Sequence, residues 1–369
     1  MLRFDLGLIF STSGPYAALG DSALGGALMA IDDLERAGVA AIRAVRRDPA
    51  GDPAAYERMT DEVLASGAVR HVLGAITSWS RKDMIPVMER HGALLWYPCP
   101  YEGFENSDHV VYLGAAPNHH MVPLIEEVAA RGAACAYLIG SNYVWGWETL
   151  RLARERLGRH GIAVAGERYV PLGAQDCGLA CDEIRSAQPD VIVNSLIGPS
   201  NVAFMQALAR QGARATVVSC NQTEADLEAL GPAADGMLSA GSFFEPLAEH
   251  AFRARARAAA PGGRLSAMFA TSYAAVQVLA AAVAAAGDDA PKAVFRAVAS
   301  RDISTVLGPV RIDPVTRHAA LTPHLARAQD GQFHVIRAAS APEPADPYLT
   351  RVDVARGPAR SAPALRVVQ

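Results

Sequence analysis

The chain has 369 residues, 51% of them hydrophobic and 20% charged, with a formal net charge of −4. That length fits two domains or one large α/β unit with full cores, and the composition excludes a chain dominated by disorder. The slight acidity excludes a nucleic-acid surface, which needs a clustered basic field; Arg253, Arg255 and Arg257 and the stretch 36–47 read as solvated faces.

The elements follow a strand, loop, helix rhythm from the first residues. Residues 4–10 read as a strand, 11–16 as a loop and 17–37 as a helix stopped by Gly38. A second strand over 39–45 ends in the loop 46–53, which feeds a helix over 54–66. Strand 69–76 leads through Thr77-Ser78-Trp79-Ser80, an N-cap cluster, into helix 81–91, and strand 93–97 follows. After a short strand at 110–114 the rhythm restarts with strands at 135–139, 163–170, 191–195, 216–220 and 237–244. Helices over 148–160, 177–186 and 198–211 separate the first of these. This pattern predicts right-handed βαβ units on parallel sheets, in two similar five-strand halves parting near Pro117. Long helices at 265–286 and 288–298 are expected to cover the first half, with a strand at 306–312, a hairpin over 321–337 and a loose proline-rich tail from Pro342.

Residues 1–10 enter a strand at once, with no charged n-region, apolar h-region or cleavage site, and no apolar run of about 18 residues stands out. The expectation is a cytoplasmic protein without membrane insertion, periplasmic if a leader has been removed. The five cysteines, Cys99, Cys135, Cys177, Cys181 and Cys220, suit a reducing compartment. Cys177 and Cys181 lie one helical turn apart with no histidine pair beside them, so they read as buried small residues and no metal is expected.

Loops at strand C-termini carry hydroxyl and aromatic residues at 11–16, 77–80, 97–101, 142–147, 196–200 and 221–224, and in facing doubly wound lobes they converge on one cleft. The stiffest is Tyr97-Pro98-Cys99-Pro100-Tyr101, where proline holds both preceding residues extended. Ser78 caps a helix, bonds a ligand, or does both. Tyr143 and Trp145 either wall a pocket or pack beneath their loop. Glu224 either meets a cationic group or serves a helix start, and His119 and His120 read as a solvated hinge position. No nucleophile elbow, P-loop, dinucleotide fingerprint or H-E-x-x-H stands at a suitable junction, and Cys99 has no base nearby in sequence, so catalysis is not expected.

Four blocks carry a resemblance: Ser78-Trp79-Ser80-Arg81-Lys82, the run from Tyr97 through Glu105, Ala116-Pro117-Asn118 and Gly140-Ser141-Asn142-Tyr143. The segments 48–53, 307–312 and 346–348 also fit. On these the chain resembles the amide-sensing negative regulators of aliphatic amidase operons, in the type 1 periplasmic-binding-protein superfamily, close to urea- and short-amide-binding transporter proteins. The resemblance implies an α/β fold of two doubly wound parallel-sheet lobes joined by a three-strand hinge. Lobe 1 would comprise residues 1–117 and 245–318, and lobe 2 residues 118–244 and 319–369. It implies a ligand site at Ser78, Tyr97, Cys99, Pro100, Tyr143, Trp145, Gly198 and Thr223, with a thiol at Cys99 where the family has threonine and Trp145 where it commonly has tyrosine. It further implies a short amide or urea as ligand, an antiterminator-type partner protein, room for a homo-oligomer, and no cofactor. The alternative function is the solute-binding component of a urea, amide or branched-chain amino-acid ABC transporter.

Overall fold

A computed structural model of the chain describes residues 2–299 and 301–351. The first half runs β1 (Leu2–Ile9), α1 (Ala17–Arg36), β2 (Ala40–Arg47), α2 (Pro53–Leu64), β3 (Val69–Gly74), α3 (Ser78–His91), β4 (Leu94–Tyr97) and β5 (Val110–Tyr112). Its strands form one parallel sheet in the order β2-β1-β3-β4-β5. The next segment holds α4 (Pro117–Ala130), β6 (Cys135–Ser141), α5 (Val144–Arg159), β7 (Ala163–Val170), α6 (Gly178–Ala187), β8 (Val191–Ser195), α7 (Gly198–Arg210), β9 (Thr216–Ser219), α8 (Glu224–Leu230) and β10 (Leu238–Gly241). The chain closes with α9 (His250–Ala259), α10 (Ala267–Ala286), α11 (Pro291–Val298), β11 (Asp302–Thr305), β12 (Gly308–Ile312), β13 (Ala319–Ala320), β14 (His324–Gln329) and β15 (Gln332–Ala338).

The second sheet has the order β15-β14-β10-β9-β8-β6-β7, seven strands rather than five, because the β14–β15 hairpin adds itself antiparallel to β10. Asp330 and Gly331 make that turn with φ of 51° and 70°, the double left-handed geometry that matches strand twist in a two-residue hairpin. Strands β11, β12 and β13 form a small antiparallel sheet of their own. Three segments pass between the lobes: β5 into α4, which packs on β10 and α5; β10 into α9, which packs on α1; and β13 into β14. Tyr112, His318 and Tyr101 stack at this crossing, with Tyr112 and His318 parallel at 4.1 Å. The two-lobed α/β architecture is therefore the one expected.

One large core runs through the first lobe and onto the inner face of the second sheet, and a smaller one fills the outer face of that sheet around Tyr137, Phe204 and Phe333. Cys177 and Cys181 are buried in the smaller core. Helix α10 is apolar all round, with a mean hydropathy of 1.6 over an 18-residue window, so it passes the length and composition test for a membrane span that the sequence reading did not credit. It spans Ala267–Ala286, and 78% of that window is buried, against α1 and α11. A buried core helix passes the same test.

Several expectations need correction. His119 and His120 are not solvated: Pro117 opens α4, and its first turn is packed, leaving both rings without exposure. His119 Nε2 bonds the Glu343 carbonyl at 2.9 Å. The segment after Pro342 is tied down through residue 351. Glu343 pairs with Leu321, Phe104 donates to the Pro347 carbonyl at 3.0 Å, and Asp346 accepts from the backbone of Thr350 and Arg351. The rest of the expected loose tail lies outside the described residues. The three arginines of α9 are not all free: Arg255 bridges to Asp33 on α1 at 2.8 Å, and Arg257 pairs with Glu245.

Candidate functional site

Helix α3 begins at the mouth of β3. Thr77 is its N-cap, accepting from Ser80 N at 3.2 Å, while Ser80 Oγ accepts from Thr77 N at 3.0 Å. Ser78 is therefore free of capping duty and donates its hydroxyl to Glu102 Oε2 at 2.6 Å. One turn on, Arg81 is wholly buried. Its Nη2 donates to Glu102 at 2.8 Å and its Nε to Glu105 at 2.7 Å. The guanidinium lies 4.8 Å from the ring centre of Tyr97 and 4.9 Å from that of Tyr101. Burial disfavours its charge, yet the two carboxylates hold its pKa well above the ordinary value. Burial likewise works against Glu105, but Arg81 and Lys82 keep its carboxyl down at about 2.

Strand β4 ends at Tyr97 and releases the proline-bracketed loop. The Cys99 thiol donates to the carbonyl of Ala75 at 3.3 Å, and Ala75 itself is held at φ 66°, a strained conformation for a residue with a Cβ. Burial pushes the thiol up to about 12, so at neutral pH it is protonated and serves as wall rather than nucleophile. Gly114 packs so close under the loop that a Cβ there would lie 1.6 Å from the Cys99 carbonyl oxygen.

From the second lobe, β6 delivers Tyr143 as the N-cap residue of α5 and Trp145 in its first turn. Gly146 permits this approach, since a Cβ there would meet the Ser141 carbonyl oxygen at 1.9 Å. Tyr143 is 2% exposed and feels the charge or dipole of Tyr16, Tyr97, Glu102 and Arg81, all on the first lobe, and Trp79 meets its ring edge-on at 5.5 Å. Trp145 lies 5.9 Å from His120, ring to ring. The lobes are thus closed on one another, and Gly198, at φ 61°, sits where a Cβ would come within 3.0 Å of the Pro15 carbonyl oxygen.

The expected site residues divide into three places. Ser78, Tyr97, Cys99 and Tyr143 share one buried constellation, and Trp145 adjoins it through His120. Gly198 stands at the seam of the lobes. Pro100 and Thr223 instead line a separate cavity of about 30 Å³ with Glu224, Ser239 and Thr271, enough for one water or so. Thr223 caps α8 in a box with Asp226. Glu224 Oε1 accepts from Glu245 N at 2.7 Å, Oε2 has no partner, and burial raises the carboxyl to about 8. The sequence reading did not single out Arg81, Glu102, Glu105 or Tyr16 as site residues; the spacing of Ser78 and Arg81, one turn apart on α3, was the available signal.

The chain belongs to the periplasmic binding protein family: the family described as periplasmic binding protein domain matches residues 4–353. Its solved structural relatives include a solute-binding protein of an ABC transporter from R. palustris in complex with 4-hydroxybenzoate, 22% identical, with a TM-score of 0.82 over 91% of this chain and 96% of that one. An amino-acid ABC transporter substrate-binding protein from Pseudomonas fluorescens is 20% identical, with a TM-score of 0.80 over 93% and 97%. The leucine-binding protein LivK of Thermotoga maritima is 15% identical, with a TM-score of 0.82 over 91% and 98%. At these identities the likeness establishes the fold.

Proposed function

We propose that the chain is the solute-binding component of an ABC transporter and that it takes a short, uncharged amide or urea between its lobes. The observation that carries this is charge balance in the closed constellation. Arg81 and the partly exposed Lys82 stand against Glu102 and Glu105, and the other walls are hydroxyls, a thiol and an indole, so the formal charges cancel, with Arg81 Nη1 left as a donor without a partner. Burying an unmatched ion in such a place costs several kcal/mol, of the order expected for any unpaired internal charge. A neutral amide needs only a donor for its carbonyl, acceptors for its NH₂ and apolar walls for a short alkyl group, and side chains of these types supply them. The transporter assignment follows the relatives, which are solute-binding proteins. The finer expectation of an amidase-operon regulator acting through an antiterminator, with a cytoplasmic location, draws no support from them.

An α-amino acid is the second reading, favoured by relatives that are amino-acid-binding transporter proteins; Glu224, beside the small separate cavity, would have to give up its proton to meet an ammonium group. The test is thermal unfolding of the protein with acetamide, butyramide, urea, leucine or 4-hydroxybenzoate. A ligand at 100 times its dissociation constant stabilises the fold by about 2.7 kcal/mol, a shift of a few degrees. Stabilisation by amides or urea is the expected result; stabilisation by leucine or 4-hydroxybenzoate alone overturns the amide reading.

A further inference from the structure

Two side chains on the second-lobe wall hold buried polar atoms with no partner: His120 Nδ1 on α4 and Trp145 Nε1 on α5. Both residues are more than nine-tenths buried. His120 Nε2 lies 3.0 Å from the Tyr101 carbonyl oxygen. A carbonyl only accepts, so Nε2 carries the proton and Nδ1 presents a lone pair when the ring is neutral. It is neutral at physiological pH, because burial lowers the imidazole to about 4 despite the Tyr101 carbonyl and Glu102 acting the other way. The indole N–H of Trp145 is a donor and nothing else. An orphaned acceptor and an orphaned donor therefore stand on rings whose centres are 5.9 Å apart, tilted by 49°. Buried polar groups without partners are rare in folded proteins, and a complementary pair of them next to Tyr101 and Glu102, at the closed seam of the lobes, points to a ligand group that satisfies both.

We propose that His120 and Trp145 form a clasp for a primary carboxamide or urea, the ligand N–H donating to His120 Nδ1 and the ligand C=O accepting from Trp145 Nε1–H. The inference rests on the neutral-ligand reading of the cleft and adds the residues that enforce it. A carboxylate would set lone pair against lone pair at His120. An ammonium would leave the indole N–H unsatisfied. An amide carries donor and acceptor on neighbouring atoms, one for each ring.

The experiment compares acetamide with acetone, its near-isostere lacking the NH₂, by calorimetry on the wild type, His120→Phe and Trp145→Phe. The wild type is expected to prefer acetamide by at least about tenfold, the scale of one buried hydrogen bond. His120→Phe should erase that preference. Trp145→Phe, which keeps the flat apolar wall, should weaken both ligands by about tenfold and leave their ratio unchanged. A wild-type acetamide affinity in Trp145→Phe overturns the clasp, as does an unaltered acetamide-to-acetone ratio in His120→Phe. If His120→Phe does not fold, Trp145→Phe decides alone. Failure of the wild type to bind any amide or urea instead overturns the cleft reading on which the clasp stands.

Discussion

Arg81 is the side chain on which the site turns. It is fully buried, shared between Glu102 and Glu105, and faced by two tyrosine rings. Removing one member of a buried ion pair leaves an uncompensated charge, so Arg81→Met is expected to lower stability by about 3–5 kcal/mol in urea unfolding. Replacing Glu102 by Leu in the same chain should recover part of that loss, and a single variant as stable as the wild type would mean the cluster is hydrated. Glu224 makes a second, opposite case. Burial raises its carboxyl from an ordinary 4.5 to about 8, so between those pH values the folded chain holds a proton that the unfolded chain has released. Its contribution therefore falls as pH rises through that window, and Glu224→Gln should flatten the loss of stability between pH 6.5 and 8. A variant with the same alkaline limb as the wild type would show that another group causes it.

At the scale of elements, close approach of backbone does much of the positioning. Gly146→Ala places a Cβ 1.9 Å from the Ser141 carbonyl oxygen, which α5 can relieve only by moving its first turn, and Tyr143 and Trp145 with it. The expected cost is about 1–3 kcal/mol in stability, the usual range for overpacking, together with a weakening of amide binding by at least about tenfold. Intact affinity in that variant would detach the start of α5 from the site. The strand and helix rhythm made most elements legible, because alternating apolar runs between cap and turn residues encode them locally. Helix α4 was not legible: Pro117 reads as the parting of the two halves, although it opens a helix whose buried face Met121, Val122, Leu124, Ile125 and Val128 supply. The segment past Pro342 failed for a different reason. Its order comes from backbone bonds to Leu321 and Phe104, far away in sequence, which no local pattern records. The stiffness of the loop 97–101 was legible from its two prolines, but that Glu102 and Glu105 fold back onto Arg81 depends on tertiary packing that spacing alone does not state.

For the whole molecule, four buried histidines set the acid limit. His71, His119, His120 and His318 are each lowered to about 4, chiefly by burial, from an ordinary value near 6.5. As pH falls from 6.5 towards 4 the unfolded chain gains protons that the folded chain refuses, so stability drops across that window. Glu224 and Asp226, raised to about 8 and about 6, oppose this but are outnumbered. Unfolding midpoints in urea should therefore peak near pH 6.5, and a profile that rises on acidification from 6.5 to 5 would contradict the buried, neutral state of these rings. The proposed ligand choice rests on the same neutrality, since lobes that close over a balanced set of charges would disfavour ions and admit uncharged solutes. The most direct measurement is calorimetric titration with three molecules of one shape: propionamide, propionate and propylammonium. A charge-balanced cleft predicts heat and saturation with propionamide alone, whereas binding of propionate or propylammonium with none of propionamide would contradict it.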